Sequence, residues 1–162
     1  MKKLYAIAIM LLIVTGAHAQ GGKTIYNKYS DSKDVSAVYI SPTMFKLIGQ
    51  LPDLDVGMAD GEKMNVAPLM RSFDGFYLLD MPDKSGAAAL KQDVQSMIKS
   101  GHFEMLMEAK DNGSTVKMYI TGKDKISSLV MLAESDGSVQ FICLEGSMDR
   151  KDFETLIAKS IR

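Results

Sequence analysis

The 162-residue chain predicts an α+β fold, a two-layer molecule with helices on one face of a mainly antiparallel sheet, in the order β-α-β-α-β-β-β-β-α. Three observations predict it. Asn112-Gly113 and Asp136-Gly137 each separate runs rich in apolar and β-branched residues, and such dipeptides supply the two positive-φ positions of a type I′ hairpin turn. Around the first turn side chains alternate with period 2: Phe103, Met105, Met107 and Ala109 before it, Val116, Met118 and Ile120 after it. That spacing puts alternate residues on one strand face. Elsewhere apolar residues recur at helical spacing on one stripe only, so each helix has a single face to bury.

The N-terminus places Lys2 and Lys3 before an apolar run from Leu4 to Val14 and then Ala17-His18-Ala19. Charge, short apolar core and small-x-small site are the order of a secretory signal peptide, and the run is shorter than the roughly 20 residues that span a membrane. Residues 1–19 are therefore expected to be a signal peptide cleaved before Gln20, with 20–162 one domain and no transmembrane segment after cleavage. Next come a helical turn around Thr24 to Ser30 and a strand from Val35 to Ile40. Ser41 before Pro42 marks a helix start, and Met44, Leu47, Ile48 and Leu51 should face inward. The stretch 51–68, with Pro52, Pro68, Gly57, Gly61 and four acids, reads as one long irregular loop, a length often tied to function.

A strand from Phe76 to Met81 leads to a helix over about Ser85 to Ser100, with Leu90, Val94, Met97 and Ile98 on its stripe and Gly101 as its stop. The strands around Asn112-Gly113 follow. Gly122-Lys123-Asp124-Lys125 makes a second tight connection, into Ile126 to Glu134, and Asp136-Gly137 returns the chain along Val139 to Glu145. Leu129-Val130-Met131-Leu132 is apolar on both faces, which places the last two strands centrally or under a helix. A final helix has Asp149 as cap and Phe153, Leu156, Ile157 and Ile161 facing inward.

Charge narrows the partners. Nineteen basic against twenty acidic side chains give a formal charge of −1, and loss of Lys2 and Lys3 makes it more negative. Only Arg71, Arg150 and Arg162 carry guanidinium groups. Nucleic-acid binding needs clustered cations that release counterions, so this balance argues against it. Cys143 is the single cysteine, so no intramolecular disulfide staples the fold, and its apolar surroundings read as those of a small buried hydrophobe.

Three stretches carry a family resemblance: Lys28-Tyr29-Ser30-Asp31 leading to Val38-Tyr39-Ile40-Ser41, Phe103-Glu104-Met105-Leu106-Met107 before the Asn-Gly turn, and Leu129-Val130-Met131-Leu132 before the Asp-Gly turn. Together they resemble the domain-of-unknown-function family 4252 of small exported bacterial proteins, over nearly all of the mature chain. The resemblance implies export and a single domain, with no catalytic residues to carry over.

Reactive groups are few. Outside the leader His102 is the only histidine, so a triad or a two-histidine metal site has nothing to be built from. No nucleophile elbow, phosphate loop or zincin pattern is present. Asp53, Asp55, Asp60 and Glu62 share the long loop and form a candidate binding loop, or the acids of a carboxylate-dependent hydrolase. Counted from Asp53 the EF-hand pattern fails, with Gly57 and Met58 at its fifth and sixth positions. Thirteen methionines are unusual. Period 2 sets Met105 and Met107 on one strand face, with Met118 across the hairpin, and thioethers suit cuprous copper; they also fill irregular core gaps. Tyr26, Tyr29 and Tyr39 form a candidate aromatic patch, although Tyr26 and Tyr29 have helical packing spacing. Asn112-Gly113-Ser114 matches a glycosylation acceptor that the hairpin already explains.

The expected function is that of an exported, periplasmic or extracellular, soluble envelope protein without catalysis or cofactor. Its sheet face or 51–68 loop would bind a partner protein or a small amphipathic ligand. The rivals are a cuprous site at Met105 and Met107 and, behind it, a hydrolase using the loop acids.

Overall fold

A computed structural model describes residues 21–50, 55–57, 63–65 and 70–160, with the backbone alone for 55–57, 63–65 and 156–160. The expected signal peptide, Asp53, Asp60, Glu62, Leu51 and Ile161 lie outside the described residues. The order is α1 (Gly22–Tyr29), β1 (Ser36–Ile40), α2 (Pro42–Gly49), β2 (Asp55–Gly57), β3 (Lys63–Asn65), β4 (Phe73–Met81), α3 (Lys84–Ser100), β5 (Glu104–Asp111), β6 (Ser114–Thr121), β7 (Lys125–Ser135), β8 (Ser138–Asp149) and α4 (Arg150–Ser160). Six strands form one sheet in the order β1-β4-β8-β7-β6-β5, every neighbouring pair antiparallel. β7 and β8 are its middle strands, as their two-sided apolarity requires.

Turn and cap chemistry account for the element boundaries. Asn112 (φ 42°) and Gly113 (φ 87°), like Asp136 (φ 49°) and Gly137 (φ 83°), take the positive φ of two-residue hairpins, closed by the pairs Asp111–Ser114 and Ser135–Ser138. Between β6 and β7, Gly122 has φ 118°, and a Cβ there would lie 2.0 Å from the Lys125 carbonyl oxygen; no other residue fits. Ser41 Oγ accepts from the Met44 N–H at 3.2 Å, Asp83 Oδ2 from Gly86 at 2.7 Å and Asp149 Oδ1 from Lys151 at 3.0 Å, so each cap satisfies an orphan donor of the first turn. At the end of α3 the left-handed residue is His102 (φ 53°), one position beyond the expected Gly101, whose φ is −83°.

α1 and α3 cover one face of the sheet. Leu90, Val94 and Met97 of α3 and Ile25 of α1 close with Leu79, Phe141 and Val130 into the main core, and Tyr29 Oη donates to Asp93 Oδ2 across the two helices at 2.7 Å. The other two helices sit on the opposite face, at one end. Val130 belongs to the main core while its neighbour Leu129 packs on a second cluster of Ile120, Ile126, Met148 and Phe153, and adjacent strand residues point to opposite faces. Covering one face with all the helices is thus corrected for α2 and α4, because β7 and β8 are apolar on both sides and each side needs cover.

Two local expectations also change. Met44 and Leu47 are 49% and 58% exposed, and Phe45 is the buried residue of α2. Its ring meets Phe73 at 5.7 Å, and Arg71 Nε donates to the Gly49 carbonyl at 2.7 Å, so one large ring and one bond fix the rotation of a two-turn helix. Within 51–68, an antiparallel pair of three-residue strands, β2 and β3, replaces the expected wholly irregular loop. Strands so short carry too few residues for alternation to register, although Asp60-Gly61 between them is the same turn dipeptide that marks the larger hairpins.

Candidate functional site: the second face of the sheet

Register decides what the face opposite the main core presents. One row runs across all six strands as Val38, Leu78, Ile142, Met131, Met118 and Met107, each paired with the next. The row beside it is Ile40, Phe76, Leu144, Leu129, Ile120 and Glu104. Eleven of these twelve side chains are apolar, and Glu104 sits at the rim, where Arg150 Nη2 donates to it at 3.0 Å. Most are only half-buried, and Val38 and Met107 are 45% and 44% exposed.

The other face of β5 and β6 is charged over part of its length. There Lys117, Glu108 and Lys110 stand where no helix makes substantial contact, with Glu108 Oε1 3.2 Å from Lys117 Nζ and 3.3 Å from Lys110 Nζ. Hydrogen bonds from Lys117 and then Lys110 hold the Glu108 carboxyl below its ordinary value. On that side these strands carry the three charges together with Met105, which is 50% exposed; on the second face they carry Val116, Met118, Met107 and Ala109, with Glu104 at the rim.

Toward α2 and α4 the second face hollows into a cavity of about 410 Å³, walled by Ile40, Phe45, Phe76, Leu129, Leu144 and Phe153 with Ser127, Ser128 and Ser147 at its polar spots. Among the described lining residues none is titratable. Such a chamber can desolvate and hold an apolar group, and among its described lining residues no acid or base stands beside the three serine hydroxyls. A second recess, about 390 Å³ and open to solvent, lies between His102, Glu104, Thr121, Lys123 and Arg150.

The residues singled out from sequence are placed as follows. The β5–β6 register shifts between Met105 and Met107, setting Met105 opposite Tyr119 and Met107 opposite Met118. These partners are adjacent in a regular strand, so the two thioethers point to opposite faces where strict alternation puts them on one. Met118 in turn faces Met131 of β7, so a row of three methionines crosses β5, β6 and β7. The hairpin arithmetic from Asn112-Gly113 predicts the first of these pairs, whereas the register across the Gly122 loop has no such marker, which is why Met131 escapes a sequence reading. Asp55 opens β2 opposite Asn65, and its companions Asp53, Asp60 and Glu62 are outside the described residues. His102 is exposed. Among the described residues no three His, Cys, Asp or Glu side chains converge as a metal site.

The aromatic patch forms with a change of member. Tyr26, Tyr39 and Tyr77 group with centroids 5.4 to 6.0 Å apart, while Tyr29 turns to Asp93. Burial, followed by the Glu145 charge, pushes the Tyr77 phenol up to about 12. Burial and then Glu145 also raise the Cys143 thiol, the reverse of what a nucleophilic thiolate needs, so the packing reading of that cysteine stands.

No helix among the described residues is long and apolar enough to cross a membrane. Residues 29–156 match the family described as Domain of unknown function (DUF4252), and the chain belongs to that family. No curated protein is similar to it at a significant level.

Proposed function

We propose that this family member is an exported, non-enzymatic binding protein whose apolar chamber, between the second sheet face and helices α2 and α4, takes the hydrocarbon part of a small amphipathic ligand. The observation that carries the reading is the chamber's lining: a volume of about 410 Å³ walled by aliphatic and aromatic side chains, in the size range of small-molecule sites. The Lys2-to-Ala19 leader supports export. Protein recovered from the exported fraction should begin at Gln20 and, titrated with a fluorescent single-chain fatty acid, should bind it saturably. Ile48 lines the chamber from α2 and is half-buried, so Ile48→Glu should weaken that binding by about tenfold or more while leaving the unfolding midpoint within a few degrees. Equal binding by parent and variant would remove the chamber from the site.

A second reading rests on the methionine row. Met107, Met118 and Met131 are cross-strand neighbours, and thioethers so paired offer soft ligands that select cuprous copper over harder ions. Titration with cuprous ion against a competing chelator should show binding that the Met107→Leu, Met118→Leu double variant loses and Met105→Leu retains. Retention by the double variant would exclude the row.

A further inference from the structure

The open recess and the apolar chamber are neighbours. Arg150 lines the recess, and Phe153, one turn further along α4, lines the chamber. On the sheet side Thr121 of the recess follows Ile120, which packs with the chamber residues Ile126, Met148 and Phe153. We infer that the recess seats the anionic head, a carboxylate, of the amphiphile whose hydrocarbon part the chamber holds. This rests on the chamber reading and names the class of ligand which that reading leaves open.

Charge and an unmet donor select the head. Lys123 and Arg150 put two cations on the recess wall, with His102 beside them, against one carboxylate, Glu104. Among the described residues Lys123 has no ion-pair partner. Asp124 and Asp149 adjoin these cations in the chain but line neither hollow, and Asp149 Oδ1 accepts from the Lys151 N–H at 3.0 Å. Arg150 already holds a carboxylate, its Nη2 donating to Glu104 Oε2 at 3.0 Å. The Glu104 side chain is 63% exposed, and an ion pair so open to water holds weakly. In that pose Arg150 Nε is closed to solvent and lacks an acceptor, the one buried side-chain polar atom so left among the described residues. A guanidinium grips a carboxylate best through two parallel N–H groups. A ligand carboxylate that replaces Glu104 and draws the guanidinium round by its Nε edge meets that donor and gains Lys123 as a second cation. Glu104 thus acts as a placeholder for the head, and a hydroxyl head would meet no such pairing.

Calorimetric titration of the full chain without its leader should compare a single-chain fatty acid with the primary alcohol of equal length. The acid should bind about tenfold more tightly than the alcohol at low salt, with the gap narrowing as salt screens the recess. Arg150→Gln and Lys123→Gln should each weaken the acid by about fivefold or more and leave the alcohol unchanged. Glu104→Gln removes the competing carboxylate and should tighten the acid by about threefold or more, a gain that a merely structural ion pair would not give. Lys110→Gln, which removes a positive charge from the opposite face, should bind both compounds like the parent. Urea midpoints should show every variant folded. Equal affinity for acid and alcohol, or an affinity for the acid that Glu104→Gln fails to raise, overturns the inference and leaves the chamber standing. A parent that binds neither compound fails the chamber reading, and the head site falls with it.

Discussion

The contact between α1 and β8 shows how few atoms fix an arrangement. Gly22 N–H donates to Glu145 Oε1 at 2.8 Å, and a Cβ on Gly22 would lie 2.4 Å from the Cys143 sulfur. The helix start can press onto the strand only because that position has no side chain. Beside this contact, burial and then the Glu145 charge keep the Tyr77 phenol neutral to about pH 12, whereas in the unfolded chain it ionises near 10. The unfolded state therefore binds fewer protons than the native state above pH 10. Stability from this group is complete below that pH and is lost as pH rises from about 10 to about 12. The loss should amount to about 1 kcal/mol by pH 11. Urea unfolding of the parent should weaken between pH 8 and 11, and Tyr77→Phe should show a flatter alkaline limb. Parallel curves would mean that Tyr77 is not the titrating group. None of this was open to a sequence reading, because Tyr77, Cys143 and Glu145 are joined by the β4–β8 register and by a helix entering from the far end of the chain.

At the scale of elements, local chemistry did most of the predicting. The caps at Ser41 and Asp149 and both hairpin dipeptides stand where residue type alone put them. What failed was rotation and register: α2 turned Phe45 inward in place of Met44 and Leu47, and the irregularity at Leu106 put Met105 and Met107 on opposite faces. Both failures come from contacts between elements distant in sequence or from a one-residue bulge that composition does not announce. The bulge also has a use, since β5 is an edge strand and a bulge with flanking charges discourages further strand pairing. Two turn glycines test how strictly the turns are specified. Gly113 at φ 87° has nothing within 4 Å of the position a Cβ would take, so Gly113→Ala should cost only backbone strain, about 1 kcal/mol. Gly122→Ala adds the 2.0 Å clash with the Lys125 carbonyl and should cost about 3 kcal/mol or more. Urea denaturation orders the two, and equal costs would mean that the Gly122 loop relaxes freely.

For the molecule as a whole, the α+β class and the central position of β7 and β8 could be read from the hairpin dipeptides and from Leu129-Val130-Met131-Leu132, because a strand apolar on both faces needs cover on both. That observation already implied a second apolar surface. Its shape could not be read, since a row that runs from Val38 to Met107 exists only after five registers are fixed. The chamber draws its walls from β1, α2, β4, β7, β8 and α4, which adjacency in the chain does not bring together.

The β4–β8 pairing has a further consequence, for the order in which the chain assembles. Strands β5 to β8 are joined by short turns and can zip from hairpins, each closing a small loop. β1, however, reaches the sheet only through β4, and β4 only through β8, whose mate is separated from it by α3 and three strands. Closing that long loop sacrifices chain entropy before any contact repays it. Registration of the amino-terminal half must therefore wait for the carboxy-terminal meander, and a chain interrupted before Ser138 has no template on which its first strands can settle.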